Sequence, residues 1–171
     1  GPGGEQYADL SPSATSYFVS REAFDCHVSR MVASGARCMD VADLHRFYQA
    51  GQSAARNARG ERGVILTFDD GWRDGVETGG PILRRHGRRA ILFVTTDFMG
   101  KPRFLSRADV GRLDPAVFHV GSHARTHRML SQLDEIEIRA ELSESKRILE
   151  DLVGYAVETL SIPSGAVDER V

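Results

Sequence analysis

Along the chain, short apolar runs alternate with longer stretches in which apolar positions recur every three or four residues. The runs "VILTF" (64–68), "AILFVTT" (90–96), "AVFHVGS" (116–122) and "VETLSI" (157–162) predict strands, and "SYFVS" (16–20) predicts a short one ahead of them. Helical spacing places Phe24, Val28, Met31 and Val32 on one face of a helix closed by Gly35. A second helix near 40–50 turns Val41, Leu44 and Phe47 or Tyr48 inward. Further helices are predicted over 74–87, 106–113 and 131–153, with a polar loop over 52–63. For the longest, Ser131 is the expected cap and Gly154 the stop. Leu133, Ile136, Ile138, Leu142, Ile148, Leu149 and Leu152 form its expected apolar stripe. Its charges, including Glu135, Glu137, Arg139, Glu141, Lys146 and Arg147, are expected to form a solvated face. Short apolar strands separated by helices are the pattern of βαβ units around a parallel sheet, so the fold class is α/β.

Composition narrows this to one domain of ordinary character. The 171 residues are 41% hydrophobic and 27% charged, with a net charge of -2 and no block of like charge. That balance argues against a nucleic-acid or anionic-membrane partner and for a small or neutral one. No apolar run reaches the roughly 18 residues of a membrane span. Cys26 and Cys38 lack metal-type spacing and are expected to be incidental thiols. The start, "GPGG", lacks the basic-then-apolar pattern of a signal peptide, and residues 1–15 are expected to be an irregular lead-in or a tag remnant. The compartment stays open between a bacterial cytoplasm and an envelope or secreted location.

Polar clusters fall where predicted strands end. Asp69 and Asp70 close the first run, "GSHARTH" (121–127) the third, and "SIPSG" (161–165) the last. In parallel β/α architectures the C-terminal strand ends form the face that carries active sites. Two adjacent carboxylates repel one another in a low-dielectric site unless a cation lies between them. His123 and His127, four apart, put both imidazoles on one side of a helical turn. With one carboxylate of the pair they make a two-His, one-carboxylate set for a divalent ion, leaving the other as a base. Taken singly, a DDG sequence is a common turn and an i, i+4 His pair a surface coincidence; their joint placement at successive strand ends is what points to chemistry. His27, His45 and His86 lie on or near helices away from these ends, and His119 reads as a structural residue within a strand.

The order "TFDDG", "SHARTH" and a Pro-x-Gly segment after a strand resembles the polysaccharide deacetylase family, carbohydrate esterase family 4, also called the NodB-homology domain. The flanks "FDDGWRDGVETGGPILRRHGRRAILFVTTDFMG", "FLSRADVGRL" and "HRMLSQL" agree, as does the upstream "FDCHVSRMVASGARCMDVADL". The resemblance covers residues 16–171 and implies a distorted (β/α) barrel, incomplete at its C-terminal end because the family's later motifs do not follow Val171. It implies Asp69 as general base, Asp70, His123 and His127 as ligands of one divalent ion, Zn²⁺ or else Co²⁺ or Ni²⁺, and a backbone N–H near Ser164 at the oxyanion. The reaction implied is hydrolysis of an N-acyl group, typically acetyl, on an amino sugar or glycan. The alternatives are a catalytically silent carbohydrate-binding or scaffold relative, and a deacylase of a small or lipid-linked N-acyl sugar. Where the family often carries arginine in its third motif, this chain has Ser161. An incomplete barrel would expose the edge near 157–162, which a homo-oligomer would cover.

Overall fold

The structure, a computed structural model, describes residues 18–49 and 63–171. The expected lead-in, residues 16 and 17 of the strand at 16–20, most of the loop at 52–63 and the side chains of Phe47 and Tyr48 lie outside the described residues. Residues 18–20 carry no strand, because Ser20 there caps the following helix.

Helix α1 (Arg21–Ala33) starts where the Ser20 hydroxyl accepts the Ala23 N–H, and Gly35 follows it at φ 70°. Strand β1 (Arg37–Cys38) leads to α2 (Val41–Gln49). The expected strand at 64–68 is two pieces: β2 (Gly63–Val64) pairs in parallel with β1, and β3 (Thr67–Phe68) pairs in parallel with β4 (Ala90–Val94). The chain changes partner across Ile65 and Leu66, the Leu66 carbonyl accepting the Ile91 N–H.

The expected helix at 74–87 is likewise divided, into α3 (Arg73–Glu77) and α4 (Gly79–Arg85). Pro81 has no N–H to return to the Glu77 carbonyl, so the ladder breaks there. Helix α5 (Arg107–Gly111) follows with a capping box between Ser106 and Asp109. Strand β5 (Phe118–Ser122) then pairs in parallel with β4 along its length. Helix α6 (Glu135–Val153) begins at Asp134, not Ser131, because Asp134 and Glu137 form a reciprocal capping box while Ser131 sits in a preceding 3₁₀ turn. Gly154 ends it in the left-handed conformation, as expected.

The main sheet therefore runs β3-β4-β5, all parallel. Its even-numbered β4 positions Ala90, Leu92 and Val94 pack with Val28, Ile82, Leu83, Val120 and Leu149 into the principal core. Ile91 and Phe93, on the other face, meet Val41 and Ile65. The expected strand at 157–162 is reduced to one parallel bridge, Ser122 to Leu160, made by Ser122 N–H to the Thr159 carbonyl and Ser161 N–H to the Ser122 carbonyl (2.9 and 3.0 Å). No closed barrel is formed among the described residues, so the barrel expected from the resemblance is present as an open, mixed α/β arrangement. Among the described residues no helix is long and apolar enough to cross a membrane.

Two expectations for α6 fail for one geometric reason. Ile136 is 80% exposed whereas Ile138 is buried, because residues two apart point to opposite sides of a helix. Glu141, placed by composition on the solvated face, is buried beside Ile138, Leu142 and Ser145. Its position three after Ile138 put it in the buried stripe all along.

Candidate active site

The three polar clusters meet where β3, β4 and β5 end. Backbone hydrogen bonds lace these ends together: Thr95 N–H donates to the Asp70 carbonyl (3.4 Å), His123 N–H to the Val94 carbonyl (3.0 Å) and Thr96 N–H to the Ala124 carbonyl (3.3 Å). Gly71, at φ 87°, lets this turn lie against Val94, whose Cγ1 would be 3.3 Å from an added Cβ. Asp70, Ala124, His127 and Ser164 all have φ between 58° and 69°, a conformation uncommon for residues other than glycine. Such backbone persists only where its surroundings hold it, and here it gathers at the strand ends.

Asp70, His123 and His127 offer ligand atoms that all lie within 4.8 Å of one another. Asp70 Oδ1 is 3.4 Å from His123 Nε2 and 3.2 Å from His127 Nε2. It is buried and accepts no hydrogen bond, so the imidazoles approach it at ion-pair distance without hydrogen-bond geometry. The other oxygen, Oδ2, accepts the Trp72 indole N–H at 3.1 Å. His123 is buried, and its Nδ1 donates to the Ser161 carbonyl at 2.7 Å, which leaves Nε2 as the acceptor nitrogen facing Asp70. His127 is half-buried, with Phe98 stacked at 5.7 Å between ring centroids.

Two imidazole nitrogens and a carboxylate oxygen thus converge as a group that could hold a metal ion, with Asp70 held by Trp72, His123 by Ser161, and His127 stacked on Phe98. The lone buried oxygen Asp70 Oδ1 is the observation that fits such an ion, since a buried carboxylate oxygen is costly without a partner. Burial acts to raise the Asp70 carboxyl, but His127, Trp72 and His123 outweigh it and hold it below its ordinary value. The nearby Asp70 raises the His127 imidazole, against the opposing effect of burial.

Asp69 is exposed, and the Ser161 hydroxyl lies 3.4 Å from its Oδ2. Ser161 thus meets the Asp69 carboxylate with its side chain and His123 with its carbonyl. Ser164 is exposed in the 3₁₀ turn Pro163–Gly165, three residues beyond Ser161, at φ 60°. His119 lies in β5 against Tyr155, away from the cluster, as its reading as structural requires.

The expected helical turn for His123 and His127 is not what brings them together. Residues 123–129 carry no helix; the segment is an irregular loop with positive φ at Ala124 and His127. Glu141 reaches into it, accepting the Arg125 N–H (3.0 Å), the Thr126 N–H (2.8 Å) and the Thr126 hydroxyl (2.7 Å). Sequence reasoning missed Glu141, though a carboxylate inside an apolar stripe was the available signal.

Residues 56–171 match the polysaccharide deacetylase family. Among relatives, the chain is 30% identical to the peptidoglycan-N-acetylglucosamine deacetylase PgdA of Listeria monocytogenes over 67% of its own length and 24% of that protein's. It is 21% identical to YxkH of Bacillus subtilis over 92% of its length and 55% of that protein's. It thus spans only about half, or less, of these relatives. The Streptococcus pyogenes deacetylase PplD, solved in complex with acetate, has the same fold: TM-score 0.79, 21% identity, 94% of this chain and 71% of that one.

Proposed function

The chain belongs to the polysaccharide deacetylase family, and from that premise we propose that it hydrolyses an N-acyl group, N-acetyl before others, on an amino sugar or N-acetylhexosamine-containing glycan. The observation that carries the proposal is the buried, unpartnered Asp70 Oδ1 facing the Nε2 atoms of His123 and His127. Asp70, His123 and His127 would hold a divalent ion, Zn²⁺ by the preference of such donors, with Co²⁺ and Ni²⁺ as substitutes. Bound there, the ion would polarise the acyl carbonyl and make water more acidic.

The rest falls to the chain's own groups. Asp69 is exposed beside this cluster and is the carboxylate left over from it, so it serves as the general base that takes the proton of the attacking water. Ser161 orients Asp69 through its hydroxyl while its carbonyl keeps His123 in the Nδ1–H tautomer. The Ser164 backbone N–H, on a left-handed turn just past Ser161, is the donor proposed for the developing oxyanion.

The test is acetate release from N-acetylglucosamine oligomers by the Zn²⁺- or Co²⁺-loaded protein, with other N-acyl sugars beside them. Release lost in Asp69→Asn with the metal retained supports the roles assigned. Metal binding with no release from any N-acyl sugar would leave the catalytically silent reading in its place.

A further inference from the structure

His123 and His127 are held by different means. His123 follows β5 directly, its N–H bonded to Val94 and its Nδ1 to Ser161. His127 comes four residues later, after a loop without regular structure. Between them the chain turns at Arg125 and Thr126, and both of those N–H groups end on one carboxylate oxygen, Glu141 Oε2 (3.0 and 2.8 Å). Glu141 Oε1 accepts the Thr126 hydroxyl at 2.7 Å. The carboxylate is 3% exposed and sits on α6, which packs along β5 and whose buried Ser145 bonds Ser122 at the end of that strand (2.8 Å). The basic groups nearby are largely engaged elsewhere: Arg125 reaches Glu144 and Asp97, and Arg128 reaches Glu137 while coming only to 3.8 Å of Glu141.

We propose that Glu141 is a positioning residue for the cation site, the template around which the loop folds so that His127 Nε2 faces the same point as His123 Nε2. This rests on the reading of Asp70, His123 and His127 as metal ligands. The argument is one of satisfaction. A buried carboxylate needs its hydrogen bonds, and the two N–H groups and hydroxyl that supply them are the turn itself. With the acceptor removed, those N–H groups must seek water. The start of the loop stays held, Ala124 by the Ser122 hydroxyl and the Thr96 N–H, and the Arg125 carbonyl by the Asp97 N–H. Thr126, however, loses its hydrogen bonds to Glu141, and with them goes the support of the left-handed backbone at His127. His127 would then wander while Asp70 and His123 stayed in place. Gln at this position keeps an oxygen for the two N–H groups, and the Thr126 hydroxyl can reverse to accept from the amide, so it should preserve the turn.

The experiment is a Co²⁺ titration of the chain followed by competition with a chelator and by the cobalt absorption band, for wild type, Glu141→Ala, Glu141→Gln, Thr126→Val and Leu149→Ala, with urea unfolding of each metal-free protein. Glu141→Ala is expected to bind Co²⁺ about 10- to 100-fold more weakly with an altered band, the usual effect of losing an outer partner of a metal ligand. Glu141→Gln should stay within about threefold of wild type, since each hydrogen bond keeps a partner. Leu149→Ala, a fully buried core truncation on the same helix, should lose stability but not Co²⁺ affinity. If Glu141→Ala does not fold, Thr126→Val carries the test, with a weaker loss in the same direction. Unchanged affinity and band in both Glu141→Ala and Thr126→Val would overturn the inference, as would an equal affinity loss in Leu149→Ala. Wild type that binds no Co²⁺ would overturn the metal reading itself, and this inference with it.

Discussion

Trp72→Phe is expected to destabilise the protein through a single hydrogen bond. The indole N–H donates to Asp70 Oδ2 at 3.1 Å, and the ring lies against Phe104 and Phe18 at 4.4 and 5.4 Å between centroids. Phenylalanine keeps much of the ring contact and removes the donor. Hydrogen bonds to charged groups are worth about 1.5–3 kcal/mol. The Asp70 side chain is 26% exposed, so water partly replaces the lost donor and about 1–2 kcal/mol is the expected coupling. For a chain of this size that corresponds to a melting-temperature drop of about 3–6 °C. The packing change is separated by a double-mutant cycle with Asp70→Ala, because the ring shrinks equally in both backgrounds. Unfolding of the metal-free proteins in urea should be followed by circular dichroism, since Trp72 is the only tryptophan and its fluorescence leaves with it. A coupling below about 0.3 kcal/mol, within ordinary additivity, would refute the claim that Trp72 fixes the Asp70 carboxylate.

Gly121→Ala should cost about 1–3 kcal/mol, because the new Cβ would lie 2.6 Å from Phe93 ring carbons and 2.7 Å from Thr159 Oγ1; an unchanged urea midpoint would contradict this. Asp109 predicts a pH effect: the Ser106 hydroxyl and N–H, with Arg73 and Arg112, hold its carboxyl down at about 2. A carboxyl lowered on folding stabilises the protein above its unfolded value near 4, and that gain is lost as pH falls toward about 2. Discounted for its partial exposure, the gap between wild type and Asp109→Asn should be about 1 kcal/mol at neutral pH and close as pH falls through that window. A gap that does not vary with pH would rule the mechanism out.

The strands and the cluster were legible because each depends on local pattern. Ala90–Val94 is a continuous apolar run and Phe118–Ser122 a mostly apolar one, and Asp70 and His123 lie just past the ends of such strands, with His127 four residues further on. What was not legible depends on partners distant in the chain. The break at Leu66 reflects which neighbour each half of the run pairs with, and a run of apolar residues carries no mark of that choice. The bridge at Leu160 is short because only Thr159 and Ser161 find Ser122. The His123–His127 spacing suggested a helical turn, yet the loop takes its shape from Glu141, whose hydrogen bonds cross to it from α6. Composition classed Glu141 with its charged neighbours, whereas periodicity placed it inward. Ser161 illustrates the opposite case: the departure from arginine was plain in sequence, but its contacts to both Asp69 and His123 required the fold.

Equilibrium dialysis against Zn²⁺ followed by elemental analysis, on wild type and on Asp70→Ala, His123→Ala and His127→Ala, decides whether the three residues form a metal centre. The expected result is about one ion per wild-type chain and its loss in each folded variant. No retained ion in wild type, or one retained in all three variants, would contradict it.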